Sequence, residues 1–514
     1  MKKISVFLLF AIIITGNVIP QTPLCTPNEK AIVAYYTPSN AHINIVGDDG
    51  NKFTMFYSTY WMYSRLVEGK KNFRHNILTY NKKTNTVEHH SVELPIDYRG
   101  LFSFGAGDNI FALYYQDTKK EGQKLITAMI PKDGGPVIEN KTRLSIKLEK
   151  RSYTKEYAAV SPDGTKHAFM FYVVNKNRIA SEMRVFVFDE NGEEILYKII
   201  TPEIFGGSFH IEDVIVNNDG EVALLMLTGE VNKKEVVSTA IQVVLCTDSY
   251  TESLGLSFEE GIINSMKICP LKNGNYFIGG YYTSPTSHTT DAFFHCFIDT
   301  KTMEMSNVKV RALSDEQVAP QETTNLGVFL AYRTKCCFLQ QVDDGSIMMI
   351  GHHYGQYHVS SNNGSYDRIH VGNIVYQHFA SDGEILAAPM LKNHQTVVGE
   401  YDADYELNGL RANFVDKYIS FSPFVSKNDV YIMYNETKAN FDSGKGAEMY
   451  NGLFKAQECC TVMAKLTDAG PEKQLVMLQD SKKRQFCGVN YFDGKNVYFT
   501  VSGVGTTMQH FTLP

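Results

Sequence analysis

The feature that most constrains this chain is a corner that keeps returning. "SPDGTKHAFMFYV" (161–173) sets a polar Pro-Asp-Gly turn before an apolar run. The pattern recurs as "GDDGNKFTMFY" (47–57), "GAGDNIFALYY" (105–115), "NNDGEVALLML" (217–227) and "KNGNYFIGGYY" (272–282). It continues as "DDGSIMMIGHHY" (343–354), "SKNDVYIMY" (426–434) and "FDGKNVYFTV" (492–501). The turn residues Gly50, Gly107, Gly164, Gly220, Gly274, Gly345, Asn428 and Gly494 lie 57, 57, 56, 54, 71, 83 and 66 residues apart. A nearly constant step that later lengthens marks a repeat with insertions. Gly, Asn and Asp hold these corners because tight hairpin turns need positive φ.

Between successive copies lies a second hairpin, as in "MRVFVFDENGEEILY" and "FFHCFIDTKTMEMSNV". Each unit thus carries four short antiparallel strands, A to D, rich in Val, Ile, Phe and Tyr, with almost no helical pattern. Such units of about 62 residues in series predict an all-β fold, a β-propeller of four-stranded blades. The last unit has sequence for three strands only, while "AIVAYYT" (31–37) precedes the first blade without a local partner. If that N-terminal run supplies the missing outer strand, it closes the ring and covers an open edge. This favours eight blades over seven.

The Ser161–Gly164 corner resembles the hairpin of secreted bacterial propellers of the TolB type, with WD-like repeats, which carry Ser-Pro-Asp-Gly before a strand. The resemblance implies architecture and no activity, since the corner turns a chain and performs no chemistry.

The apolar run "ISVFLLFAIIITG" (4–16) follows Lys2 and Lys3 and is short for a membrane span, so residues 1–21 read as a signal peptide and 22–514 as a single propeller domain. The expected location is secreted or periplasmic, with outer-membrane association as the alternative, and no transmembrane span remains after signal removal. The formal charge is −7 and no basic cluster tracks phosphates, which argues against a nucleic-acid partner. None of the nine cysteines shows C-x-x-C spacing, and Cys246, Cys269, Cys296 and Cys487 fall in strand-like runs as small apolar residues.

In a four-strand meander the A-to-B and C-to-D turns share one rim, and the B-to-C and D-to-A connections share the other. The tight Gly turns occupy the first rim. Long insertions at 311–331, 355–372, 395–415 and 435–458 all fall on the second, in units five to seven, where recognition or catalysis is usually built. The segment 351–378 supplies candidate ligand-binding residues His352, Tyr354, Tyr357, His358, Tyr366, Asp367, Arg368 and His370. No H-x-H or H-E-x-x-H spacing fixes a metal set. "GEYDADYELNGLR" places Asp402, Asp404 and Glu406 alternately before a Gly turn, a weak calcium pattern without the glycine and distal glutamate of an EF-hand. Asp367, Asp402 and Asp404 with His358 are the candidates for acid/base work. Trp61 enters the B-to-C loop of the first blade. No nucleophile elbow, P-loop or dinucleotide fingerprint occurs.

These observations predict an exported, monomeric binding propeller without a cofactor, whose loop-rich face takes a glycan, peptide or protein. The alternative is a hydrolase or lyase on the same face, acting on a polysaccharide or peptide.

Overall fold

The computed structural model describes residues 23–24, 32–34, 42–60, 73–95, 98–118, 122–148, 152–174, 180–201, 208–232, 235–257, 261–306, 308–323, 329–361, 364–393, 395–399, 422–443, 450–451, 459–479, 485–502 and 506–513. They form eight antiparallel blades. The first runs His42–Asp48, Lys52–Tyr60, Phe73–Asn81 and Thr86–Val92, and the next three span 98–146, 153–200 and 208–257 in the same strand order. Blades five, six and seven span 262–312, 333–391 and 422–479. In blade five the outer strand is broken into Glu304–Met305 and Lys309–Ala312, both paired to Ala292–Asp299.

The last blade holds Gln485–Phe492, Asn496–Ser502 and Thr506–Thr512 from the C-terminus, and its fourth strand is Ile32–Ala34. Ile32 pairs with Thr507 and Ala34 with Thr506. The N-terminal run therefore closes the ring as its lack of a local partner suggested.

The apolar pattern follows from blade stacking. Lys166–Val174, a B strand, is buried at nearly every position because neighbouring blades cover both its faces. The outer strand Glu194–Ile200 alternates, with Leu196 and Ile200 inside and Ile195, Tyr197 and Ile199 outside. Eight apolar cores result, one for each pair of neighbouring blades. Met170, Val185, Leu224 and Met226 belong to the core between blades three and four. Phe53, Tyr80, Tyr498 and Met508 fill the one that joins blade eight to blade one.

A polar lock reinforces that junction. Lys82 Nζ lies 2.7 Å from Asp48 Oδ2 and 3.1 Å from Asp493 Oδ2, joining the first and last blades. Burial pushes the Asp493 carboxyl up, but hydrogen bonds from Asn496 and Lys82 outweigh it and hold the group down at about 2.

The tight-turn rim is stapled laterally. Gly164 takes φ +75° in the Ser-Pro-Asp-Gly corner, and Asp163 Oδ1 accepts the Thr165 N–H at 3.0 Å. The Asp163 N–H donates across to Asn218 Oδ1 of blade four (3.2 Å), Lys272 N–H to Gln341 Oε1 of blade six (2.7 Å), and Asp344 N–H to Asn428 Oδ1 of blade seven (2.8 Å). Blade seven departs from the sequence reading in one detail. Its positive φ, 59°, falls on Lys427, and Asn428 serves as the staple acceptor instead.

Candidate functional site

The insertions meet where the sequence placed them, but the segment 355–372 is no loop. Strands Ile347–Ser361 and Gly364–Phe379 of blade six pair from Ile347↔Phe379 to Ser361↔Gly364, with a register shift between His352 and Tyr354. The A strand begins at Arg333, opposite Tyr354, so the hairpin continues past it by seven residues, about 20 Å at the usual strand rise. Strand Gln395–Gly399 adds to the projecting part, pairing with Asp367–Val371, and Tyr450–Asn451 of blade seven pairs parallel to it. The remaining insertion, 311–331, packs at its base, where the His353 Nε2–H donates to the Gln317 carbonyl at 3.0 Å. Parts of all four predicted insertions thus converge on one hairpin of blade six.

The register sets Tyr357 opposite Arg368, His358 opposite Asp367, and the Tyr366 backbone opposite Val359. Tyr354 is half-buried; His352 and His370 are buried. Burial, helped by the charge of Lys335, holds the His352 imidazole down at about 3, so it is neutral at physiological pH. His353 is held at about 4 by burial against its bond to Gln317. His378 belongs to the opposite rim, where Nδ1 meets Asp468 Oδ1 at 2.7 Å and Nε2 meets Ser346 Oγ at 2.9 Å, tying blade six to blade seven. Trp61, Asp402, Asp404 and Glu406 lie outside the described residues. Among the described residues no group of three or more His, Cys, Asp or Glu is arranged to hold a metal, and no helix is long and apolar enough to cross a membrane. Cys246, Cys269, Cys296 and Cys336 are buried, unbridged thiols.

A second constellation, absent from the sequence reading, lies on the innermost strands of blades three to six. His210 Nε2 is 3.3 Å from Glu212 Oε1, with side chains 45% and 15% exposed. Beside them Lys267 Nζ is 3.3 Å from Asp213 Oδ1, and Asp213 Oδ2 also accepts the Ile268 N–H at 3.2 Å. Glu212 accepts the Met266 N–H and feels the charges of Lys335 and Lys267, while His210 feels Lys155. Groups from four consecutive blades reach one another in this way because the A strands ring the axis.

Glu212 is the chemically unusual member. Desolvation pushes its carboxyl up to about 7, although the Met266 N–H, Lys335 and Lys267 pull the other way. His210 is lowered by desolvation and by Lys155. Glu212 therefore gains or loses a proton near neutrality beside a neutral His210, which is the property a general acid or a pH-dependent binding group needs. Each A strand starts at the loop-rich rim. Lys155, His210 and Lys335 stand near those starts, on the same rim from which the blade-six hairpin projects.

No protein-family model matches the chain, and no curated protein sequence matches it. Among solved structures, the β-propeller domain of the trilobed protease from Pyrococcus furiosus aligns with a TM-score of 0.32 and 11% identity, over 69% of this chain and 94% of that one. Polysaccharide lyase Uly1 aligns with a TM-score of 0.40 and 11% identity, over 97% of this chain and 94% of that one. A prolyl endopeptidase aligns with a TM-score of 0.35 and 10% identity, over 65% of this chain and 46% of that one. The assignment as a closed eight-bladed propeller rests on the strand pairing and the eight interblade cores.

Proposed function

We propose that this chain is an exported, monomeric ligand-binding propeller that takes a glycan, peptide or protein segment at its loop-rich face. One observation carries the reading: four insertions from blades five to seven gather on the blade-six hairpin, at the rim where the charged axial wall begins. A stiff ring leaves the opposite rim to tight, laterally stapled turns, so recognition falls to the built-up face. Tyr357, His358, Tyr366, Asp367, Arg368 and His370 of the hairpin, with His352 and Tyr354 at its base, are the proposed contacts.

The test is thermal unfolding of the protein against a panel of glycans and peptides, repeated after the hairpin is shortened by removing 357–368. A ligand-dependent rise that disappears in the shortened chain supports the reading through binding linkage. A rise of equal size in both would refute it.

A second reading, a hydrolase or lyase acting on a polysaccharide or peptide at this face, is favoured by the His210–Glu212 pair, because turnover requires two titratable groups converging in a water-accessible site. Product formation from the ligand found in the panel, lost in Glu212→Gln with binding kept, distinguishes it from binding alone.

A further inference from the structure

The seam between blades five and six buries a histidine that no hydrogen bond holds. His295 lies on the blade-five C strand, 1% exposed, and among the described residues it is the one imidazole buried with neither ring nitrogen hydrogen-bonded. Phe277 stacks on it at 5.5 Å and 15°, and Phe379 of blade six meets it at 5.1 Å. Gly383 approaches from blade six so closely that a Cβ there would sit 3.0 Å from Nε2. A charged ring in this setting would lack both water and a partner, so the closed seam favours the neutral form.

The same ring is linked to the loop-rich rim. His295 pairs with Lys309, at the start of the outer strand Lys309–Ala312, whose four residues are all exposed. That strand runs into the 311–331 insertion, whose Leu313 and Val318 pack in the core between blades five and six and whose Gln317 holds His353 at the hairpin base.

We propose that this seam is an acid-opened joint: protonation of His295 parts blades five and six at their outer edge, releases the strand Lys309–Ala312 with the insertion behind it, and so loosens the blade-six hairpin. The inference rests on the binding reading for the role of the hairpin, while the opening of the seam is tested without a ligand.

The direction follows from what surrounds the ring. Burial, helped by Lys309 and Arg311, holds the imidazole down at about 4. On the blade-six side stand Phe379 and Gly383, and the acids that flank the glycine, Asp382 and Glu384, are exposed. The B strand and its own strand offer Phe277, Phe297 and the Cys296 thiol, which packs in the core between blades four and five. Above pH 6.5 the ring is neutral in the closed and the open seam, so it favours neither. Between 6.5 and about 4 only the open seam takes up the proton, and opening is favoured about ten-fold more for each pH unit. Below about 4 both forms are protonated and the effect levels off. Other seams are less sensitive: His75 Nε2 lies 3.0 Å from the Tyr98 carbonyl oxygen, and His167 has the Asp189 and Asp163 carboxylates to favour its charge.

Buried thiols report each seam. Cys269 and Cys336 lie in the core between blades five and six, Cys246 in that between three and four, and Cys296 in that between four and five. Labelling of the full chain with dipyridyl disulfide, read by peptide mass spectrometry and normalised to the urea-unfolded chain at each pH, follows local opening. Relative to Cys246, Cys269 and Cys336 are expected to react about twenty-fold faster at pH 5 than at pH 7. His295→Phe keeps an aromatic ring that cannot take a proton, and should abolish the rise. Lys309→Gln with Arg311→Gln, at exposed positions, should shrink it, because the closed ring then accepts its proton more readily. Hydrogen exchange, corrected for intrinsic rates, should quicken at pH 5 in 313–319 and at the hairpin base together with Ala292–Asp299. Equal acceleration at Cys246 and Cys296, or a rise that survives in His295→Phe and in the double variant alike, overturns the joint. Faster labelling of Cys269 and Cys336 with unchanged exchange in 313–319 overturns its link to the hairpin. A seam that opens in this way in a chain whose melting temperature no compound of the panel raises would refute the binding reading alone.

Discussion

Glu212→Gln should make the protein more stable at alkaline pH and leave it unchanged in acid. The carboxyl is 15% exposed on the axial wall, and its value in the folded chain is about 7 against an ordinary 4.5. Below pH 4.5 it is protonated in both folded and unfolded chains, so it adds no charge-burial cost. Between 4.5 and about 7 the unfolded chain ionises first, and folding loses about 1.4 kcal/mol per pH unit. Above 7 both states are ionised and the loss levels off at about 3 kcal/mol. Glutamine keeps the shape and the hydrogen bond from Met266 but carries no charge. Urea unfolding followed by circular dichroism at pH 4.5 and pH 8 reads the difference. Coincident curves at pH 4.5 and a variant more stable by about 3 kcal/mol at pH 8 are expected. A variant less stable at pH 8, or offset equally at both, would mean that the ionised carboxylate is held by its lysines more strongly than burial opposes it.

Two further perturbations probe the ring. Asp493, held at about 2 against an ordinary 3.8, contributes about 2 kcal/mol above pH 3.8 that is lost as pH falls through 2. Asp493→Asn should therefore lower the urea midpoint at pH 6 but not at pH 2, and an equal drop at both would exclude the ionic lock to Lys82. Gly351→Ala would bring a methyl group to 2.3 Å from the Tyr281 ring and 2.8 Å from Thr334 Cγ2, between blades five and six. Overpacking of this kind costs about 1–3 kcal/mol or more. Gly164→Ala meets nothing within 4 Å and pays only for its φ of +75°, about 1 kcal/mol. Melting temperatures should rank wild type above Gly164→Ala and that above Gly351→Ala; the reverse order of the variants would refute the packing argument.

The ring was legible because its determinants are local. Each turn glycine sits beside the strand it starts, and the solitary N-terminal run signalled an absent partner in blade eight. Asn428 misled by its chemistry: it is a good residue for positive φ, but the adjacent Lys427 adopts that conformation while the Asn amide is used to staple blade six. The segment 355–372 read as a loop because its Gly, Ser and Asn content masks strands that pair only with each other and with inserted chain. The axial cluster was invisible for the opposite reason. Lys155, His210, Lys267 and Lys335 come from four different repeats, so no short motif contains two of them, and only Glu212 and Asp213 lie beside His210 in sequence. A signal was available: in each of these A strands a charged residue or histidine stands seven to ten residues before the turn glycine. Laying the repeats over one another would have brought those positions to one side of the ring.

The most direct measurement is hydrogen–deuterium exchange of the intact chain with and without a ligand that raises its melting temperature. Protection is expected along the hairpin beyond Tyr354 and at the A-strand segments around Lys155, His210–Asp213, Lys267 and Lys335. Protection confined to the tight-turn rim at Gly164, Gly220 and Gly345, or to the outer strands, would contradict a binding face built on the long insertions.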